Sequence, residues 1–116
     1  LYFDALLAPS SINETLLEDI NLLAPFGSGN AEPIFVLENL RVINYLVMAN
    51  KHIKAIMLAR TGDVIDCISY NSIGSSLEPY LTKSYKKELH VAGKIILNEW
   101  KNKRKIQFII QDIAIQ

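Results

Sequence analysis

The stretch Leu23–Phe35, LAPFGSGNAEPIF, is where a helix must end and a sheet must begin. Pro25 cannot continue a helix, and Gly27 and Gly29 permit positive φ. Pro33 pushes the residue before it into extended geometry. The stretch therefore predicts a rigid joint between a helix and the strands that follow. A phosphate-binding loop is disfavoured, because the glycines precede a strand and do not open a helix.

The segment before the joint has a helical pattern. Ser11-Ile12-Asn13-Glu14 matches a capping box, in which the Ser hydroxyl and the Glu carboxylate each satisfy a free backbone N–H of the first turn. We expect a helix that begins there and ends at Pro25. Its apolar positions recur at helical spacing and are Leu16, Leu17, Ile20 and Leu23.

Beyond the joint, long β-branched and aromatic runs are separated by short polar breaks, which is typical of strands. A short helix is expected within Ser72–Lys83, limited by Pro79. Three strands, a helix and two strands is the order of the OB-fold, a five-stranded Greek-key barrel. The strands are predicted at Phe35–Val47, His52–Arg60, Val64–Tyr70, Glu88–Asn98 and Lys105–Ile115, with turns at Asn50–Lys51, Thr61–Asp63 and Glu99–Lys103.

Within these strands, alternation predicts which residues face the core. Ile106, Phe108 and Ile110 should be inside the barrel. Gly93 lies within the fourth strand, where the lack of Cβ permits a sharp bend. For the third strand, two alternating sets compete for the interior and both stay open. One set is Val64, Asp66, Ile68 and Tyr70, and the other is Ile65, Cys67 and Ser69.

The joint, the run HIKAIML at His52–Leu58 and the run ILNEWKNKRKIQFIIQDI at Ile96–Ile113 resemble the carboxyl-terminal region of the RecJ-type single-strand-specific DNA exonucleases of the DHH phosphoesterase superfamily. The resemblance runs from about Tyr2 to the end of the chain. It implies a linker segment and helix at residues 1–33, followed by an OB-fold nucleic-acid-binding domain at residues 34–116. It also implies that this chain is part of a longer protein.

The charge of the chain is unevenly distributed, although its net value is zero. Residues 1–40 contain six acids and no Lys or Arg, whereas residues 41–116 contain all twelve bases and six acids, a net charge of +6. A basic part of this kind indicates a polyanionic partner. The alternative is a solvated surface with an acidic helix docked elsewhere.

The single cysteine, Cys67, lies in an apolar run and has no partner for an internal disulfide. We expect a buried structural thiol in a reducing compartment, since nothing nearby in the sequence would activate it. No apolar run reaches the ~20 residues that a membrane span needs, and there is no signal-peptide pattern. The sequence predicts a cytoplasmic protein without a membrane partner.

The sequence also lacks the residue clusters of a catalytic centre. His52 and His90 lie on different predicted strands, without the Asp/His cluster that a metal nuclease requires. We expect no catalytic residue and no cofactor in this chain. The resemblance implies that Mn²⁺ or Mg²⁺ belongs to catalytic domains elsewhere in the parent protein.

OB-folds bind single strands on the face of their second and third strands and through the turns that flank it. Lys54 and Arg60 share the outward face of the second strand. Tyr70 either stacks on a base or belongs to the core. Trp100 either stacks on a base amid the hairpin cations or folds over the barrel mouth, with the lysines protecting a sheet edge. The candidate nucleic-acid-binding residues are Lys51, Lys54, Arg60, Tyr70, Asn71, Trp100, Lys101, Lys103, Arg104 and Lys105.

These observations predict a non-catalytic module that binds single-stranded DNA, and the resemblance implies that it belongs to a RecJ-like 5′ to 3′ exonuclease that acts in recombination and repair. Its expected partners are single-stranded DNA and the catalytic domains of the same parent chain. The alternative is a module that docks on those domains or on another protein without binding DNA. That alternative predicts an apolar surface around Leu1–Leu7 and on the Leu16–Leu23 face.

Overall fold

A computed structural model of the chain describes residues 5–13, 16, 32–84 and 87–115. These residues form a barrel of five long strands, with a short sixth strand beside it. The strands are β1 (Ala5–Leu6), β2 (Phe35–Met48), β3 (His52–Ala59), β4 (Val64–Ser69), β5 (Leu89–Trp100) and β6 (Lys103–Ile115), and helix α1 (Glu78–Thr82) lies between β4 and β5.

The barrel closes because β2 pairs with two strands. Its first part, from Phe35, is antiparallel to β5, and its second part, from Leu40 to Met48, is antiparallel to β3. β3 pairs with β4, β4 runs parallel to β6, and β6 returns antiparallel to β5. This strand order, with a helix between the third and fourth barrel strands, is that of the OB-fold. The predicted fold class is confirmed.

Alternation in the strands fills the barrel with apolar side chains. In β3, every second residue from Ile53 to Ala59 is buried and the residues between are half-buried. The prediction for β6 is confirmed at Phe108 and Ile110, which are buried, while Ile106 is partly buried against the same core. The largest fully buried side chains are those of Phe108, Leu37, Leu40, Ile53, Met57, Leu81, Leu89 and Val91.

Two turns differ from those that the sequence predicted. Ala49 and Asn50 both have positive φ, so the first turn is centred one residue before the predicted Asn50–Lys51. The β5–β6 hairpin turns at Lys101–Asn102, also both at positive φ, and not over the whole of Glu99–Lys103. The two-residue β5–β6 turn matches the right-handed twist of the strands, so pairing continues up to Trp100 and Lys103. The predicted positive φ of Gly62 is confirmed at 92°.

Helix α1 is shorter than the predicted Ser72–Lys83 span. It begins at Glu78, directly before Pro79, because proline is tolerated in the first turn of a helix but not in its interior. Residues 72–77 form turns instead. Leu81 points from the helix into the barrel and is buried.

The segment before the barrel packs against it, which the sequence did not predict. β1 runs parallel to the start of β2, and Leu7, Ile12 and Leu16 pack against the core. Ser11 lies in a 3-10 turn, Pro9–Ser11, so it does not cap the helix. The Oδ1 of Asn13 accepts the N–H of Leu16 at 2.9 Å, which is the hydrogen bond that an N-cap side chain makes. Glu14, the other member of the predicted capping box, lies outside the described residues.

The rest of the predicted helix, residues 17–24, and the joint from Pro25 to Asn30 lie outside the described residues. The division of the chain between residues 33 and 34 stays a prediction. Of the predicted apolar surface at the start of the chain, Leu6 is exposed, whereas Leu7 and Leu16 are partly buried on the barrel.

Gly93 is required by a close approach between β5 and β6. A Cβ at this position would lie 1.9 Å from the carbonyl oxygen of Ile109 and 3.0 Å from the Phe108 ring. The register of the two strands shifts here, and Gln111 is the extra residue between Ile110, which faces Gly93, and Asp112, which faces Ala92. The predicted requirement for a residue without Cβ is confirmed, because any side chain would force the two strands apart.

We expect Gly93→Ala to lower the free energy of unfolding by about 4 kcal/mol or more, since the overlap is with backbone that cannot move alone. Gly62→Ala is the matched control: a Cβ there meets no atom within 4 Å, and only the positive φ costs about 1 kcal/mol. Chemical denaturation of both variants measures the difference. Equal losses would contradict the close approach.

Candidate nucleic-acid interface

The outward sides of β3, β4 and β6 form one surface, which we call the outer face. The structure settles the register of β4: Ile65, Cys67 and Ser69 are buried in the barrel, so the alternate residues point outward. Strand register aligns Ile56 with Asp66, and Lys54 with Ile68. The outer face comprises His52, Lys54, Ile56, Leu58, Val64, Asp66, Ile68, Tyr70, Lys105, Gln107, Ile109 and Gln111. Two of these outward side chains, Ile68 and Gln107, are themselves buried.

Cys67, beneath this face, is an inert thiol. Its side chain is fully buried, and burial, with a smaller effect from the nearby Asp66 charge, raises the pKa of the Cys67 thiol far above its ordinary value. The thiolate that reactive cysteines need is therefore suppressed. The predicted buried structural role is confirmed.

One end of the outer face, beside the β2–β3 turn, is aromatic. Tyr70 is 51% exposed, so the expectation that it could belong to the core is wrong. Its ring lies 5.2 Å from that of His52 in an edge-to-face arrangement. His52 Nδ1 also accepts the N–H of Asn71 at 2.9 Å, which fixes the Tyr70–Asn71 turn. The aromatic side chain is thus held in place and still open to solvent.

Lys51 lies in the β2–β3 turn next to this aromatic end. Its carbonyl oxygen accepts the N–H of Ile73 at 3.1 Å, so the turn is tied to the segment that follows Tyr70. Leu46, which the register places opposite Lys54, is 61% exposed. Lys51, Tyr70 and Asn71, predicted separately, are therefore brought together around His52.

The middle of the outer face is ionic. Asp66 Oδ2 forms an ion pair with Lys105 and lies 3.7 Å from Lys54 Nζ. Gln107 Nε2 lies 3.5 Å from the same oxygen, and Asn98 donates to Gln107 Oε1. The hydrogen bond to Asp66 raises the pKa of Lys105. Lys54 and Lys105, both predicted to contact phosphates, thus share one carboxylate.

Arg60 is also paired. Its Nε and one terminal nitrogen lie 2.7 and 2.5 Å from the two carboxylate oxygens of Glu88, a bidentate arrangement. The hydrogen bond from Arg60 holds the pKa of Glu88 below its usual range, and Glu88 raises that of Arg60. The guanidinium therefore braces the start of β5 against the β3–β4 turn.

The β5–β6 hairpin lies at the end of the outer face opposite the aromatic end, because β6 runs parallel to β4. Lys101, Lys103 and Lys105 are exposed. Trp100 pairs with Lys103 in the backbone ladder, and Arg104 pairs with Glu99. The side chains of Trp100 and Arg104 lie outside what the structure describes, so the roles predicted for them stay predictions.

Sequence analysis missed two contributors to this surface. His52 was considered only as a metal ligand, whereas it orients the Tyr70–Asn71 turn. Asp66 was left between two registers, and its partners Lys54 and Lys105 lie on neighbouring strands. From the local sequence, only the outward position of Lys54 could be predicted. Its partners on neighbouring strands could not be, because cross-strand partners depend on register.

Both histidines act as acceptors for backbone N–H groups. His90 Nδ1 lies 3.3 Å from the backbone nitrogen of Asn39, as His52 Nδ1 does for Asn71. Among the described residues, no group of three or more His, Cys, Asp or Glu could hold a metal ion. In that same part of the chain, no helix is long and apolar enough to cross a membrane.

A closed barrel with a helix between its third and fourth strands places the protein in the OB-fold class. The chain belongs, more narrowly, to the RecJ OB domain family, whose family model matches residues 3–112.

The chain is similar to the single-stranded-DNA-specific exonuclease RecJ of Bacillus subtilis strain 168, with 28% identity over 101 residues. That match covers 85% of this chain and 12% of the exonuclease, so the chain spans about an eighth of that relative's length. Family membership therefore describes one module of such proteins.

Solved structures show the same fold. RecJ from Thermus thermophilus in complex with Mn²⁺ matches 98% of this chain and 16% of its own, at 19% identity and a TM-score of 0.72. The Mg²⁺ complex of the same protein gives a TM-score of 0.66 at 21% identity over 95% of this chain and 16% of its own. The yeast mitochondrial single-stranded DNA binding protein Rim1 matches 71% of this chain and 90% of its own, at 8% identity and a TM-score of 0.51.

The Arg60–Glu88 pair predicts an acid-dependent contribution to stability. Because the folded-state pKa of Glu88 lies below the usual 4.5, the pair stabilises the fold above that pH and loses its contribution as the pH falls through the lower value. Glu88→Gln should therefore be less stable than the wild type at neutral pH, and the difference should shrink in acid.

Chemical denaturation at a series of pH values between about 6 and 3 measures this difference. Glu38→Gln is the control, since Glu38 is an exposed carboxylate for which the described residues provide no ion pair. A Glu88→Gln difference that stays constant over the whole range would show that the pair does not stabilise the fold electrostatically.

Proposed function

We propose that this OB domain binds single-stranded DNA as a non-catalytic module of a RecJ-like 5′ to 3′ exonuclease that acts in recombination and repair. The observation that carries the proposal is the exposed aromatic end of the outer face, where Tyr70 is held by His52 beside Lys51. A rigid exposed ring next to a cation is what single-strand binding by stacking requires. The proposed partners are single-stranded DNA and the catalytic domains of the parent chain.

In this proposal each end of the outer face combines base stacking with phosphate contacts. Tyr70, and Trp100 on the hairpin, stack on bases, and each stacked base contributes about 1 to 3 kcal/mol. Lys51, Lys101 and Lys103 contact phosphates through charge, without reading sequence. Asn71, Arg104, Lys54, Lys105 and Arg60 border this path, the last three with their charge shared with carboxylates.

Cleavage in this proposal belongs to other domains of a longer cytoplasmic protein, which would use Mn²⁺ or Mg²⁺. The supports are membership of the RecJ OB domain family and the similarity to an exonuclease about eight times the length matched here. The OB domain holds the strand and passes it to that catalytic centre.

A second candidate function, docking on the catalytic domains or on a partner protein, is favoured by one feature of β2. Its last residues run past the barrel and expose Ile43, Tyr45, Leu46 and Val47, each more than 40% accessible. Tyr45 and Val47 share one side of the strand, because they lie opposite the core residues Ala55 and Ile53, and exposed apolar side chains grouped in this way are typical of protein contacts. Tyr45 lies opposite the core residue Ala55 in the ladder, on the inner side of the sheet, so it is separate from the outer face.

Fluorescence anisotropy of a labelled single-stranded oligonucleotide tests the proposed stacking. We expect Tyr70→Ala to weaken binding about tenfold, since one stacked base is lost. Tyr45→Ala is the matched control, because it also removes an exposed tyrosine but from the other side of the sheet, and it should leave DNA affinity unchanged. If Tyr70→Ala leaves DNA binding unchanged, and Tyr45→Ala weakens binding to the catalytic domains, the chain is better described as a docking module.

The ionic part of the proposal is tested by charge removal. Lys51→Ala/Lys103→Ala should weaken binding and reduce the logarithmic dependence of affinity on salt by about 0.7 for each phosphate that is no longer neutralised. Lys83→Ala/Lys87→Ala removes the same charge from the connection between α1 and β5 and should have little effect. If the folded wild-type chain shows no salt-dependent affinity for the oligonucleotide, the proposed function is wrong.

A further inference from the structure

The two lysines in the middle of the outer face are held by one carboxylate. Lys54 on β3 and Lys105 on β6 approach the same oxygen of Asp66 from opposite sides of β4. The Asp66 side chain is 10% exposed, whereas those of Lys54 and Lys105 are 31% and 53% exposed. A buried anion thus lies directly beneath two cations that a strand would meet first.

Asp66 cannot leave this position, although the lysines can. It lies on β4, which pairs with β3 on one side and β6 on the other. Its second oxygen, Oδ1, is enclosed with no hydrogen-bond partner among the described residues. Lysine side chains are long and flexible, and Lys105 in particular is more than half exposed. An incoming phosphate can therefore draw the ammonium groups away, while the carboxylate stays.

A phosphate and a carboxylate compete for the same donors and repel each other. The trio of Lys54, Lys105 and Asp66 carries a net charge of +1, not the +2 that the two lysines alone would offer. Each phosphate contact made here must also replace an existing ion pair.

We infer that Asp66 is a built-in competitor that weakens the grip of the outer face on the phosphate backbone, an inference that rests on the proposed function. Binding then depends mainly on stacking and on the turns, and phosphate contacts in the middle of the face exchange readily. A strand that must advance across the domain toward a nuclease centre benefits from such weak contacts.

Asp66→Asn tests this inference with little disturbance of shape. Asparagine keeps an acceptor for Lys54, Lys105 and Gln107 but removes the charge. We expect affinity for a labelled single-stranded oligonucleotide at low salt to rise about three- to tenfold, because a repulsive charge is lost and two cations are released. The logarithmic dependence of affinity on salt should steepen by about 0.7 for each additional phosphate that is neutralised.

Two matched variants separate this effect from a general change of charge. Glu38→Gln alters the net charge equally but lies on β2, which does not pair with β4, and should change affinity little. In the Lys54→Ala/Lys105→Ala background, Asp66→Asn should give a much smaller gain, since the cations that it releases are absent and only the repulsion between the carboxylate and the phosphates is removed. A gain as large in that background as in the wild type would overturn the inference.

A further comparison needs no change at Asp66. Because Lys105 is already paired, Lys105→Ala should cost less DNA affinity than Lys103→Ala on the same hairpin, for which the described residues provide no ion pair. An equal or greater cost at Lys105 overturns the inference.

The outcomes distinguish the inference from the proposed function. Wild-type binding that is unchanged or weakened by Asp66→Asn overturns the role of Asp66 and leaves the proposed function standing. Absence of binding by both folded proteins overturns both, and near-ultraviolet circular dichroism verifies that each variant is folded.

Discussion

The structure depends on one strand serving two partners. β2 pairs with β5 up to Leu40 and with β3 from Leu40 onward, and the barrel could not close without this change of partner. The change occurs at Asn39, which has a φ of 60° and donates its N–H to His90 Nδ1. Asparagine tolerates this left-handed geometry better than most residues, and the histidine satisfies a backbone donor that the bulge removes from the ladder. A strand bent here can enclose a core and still run on past it.

The surface chemistry follows from that closure. Apart from Ser69 on β4, the inward positions of β3, β4 and β6 are taken by the apolar core, so the other polar groups of these strands share the outer face. Neighbouring strands bring opposite charges within reach, as Asp66 with Lys54 and Lys105 shows. The net charge of +6 on residues 41–116 therefore overstates the field on this face, because part of it is balanced locally. The net charge indicates the class of partner, whereas ion pairs within the protein determine how readily each cation can contact that partner.

Features set by local sequence were predictable. The alternation of β3, the burial of Phe108 and Ile110, the need for glycine at position 93 and the glycine turn at position 62 all follow from residue type and spacing. The strand order also followed, since β runs interrupted by a single helix at that point are typical of few folds.

Features set by contact between distant segments were not predictable. Ser11 lies in the 3-10 turn Pro9–Ser11, and it is the side chain of Asn13 that accepts the N–H of Leu16, which the capping pattern alone cannot show. The ambiguity of β4 was resolved only by its pairing, which puts Cys67 inside and Asp66 outside. The Arg60–Glu88 pair joins residues 28 positions apart, and no local pattern announces it. Pairing partners depend on register, and register is a property of the whole barrel.

The candidate interface therefore combines a constrained aromatic end with a balanced ionic middle. Because Nδ1 of His52 accepts the Asn71 N–H, a neutral His52 carries its proton on Nε2, and the ring cannot turn without losing that bond. Tyr70, packed edge-on against it, is thus presented in a fixed orientation at little further entropic cost. Stacking on such a ring does not compete with any carboxylate, unlike a phosphate contact at Lys54 or Lys105. Under the proposed function, this geometry favours base stacking over charge as the main source of affinity for a single strand.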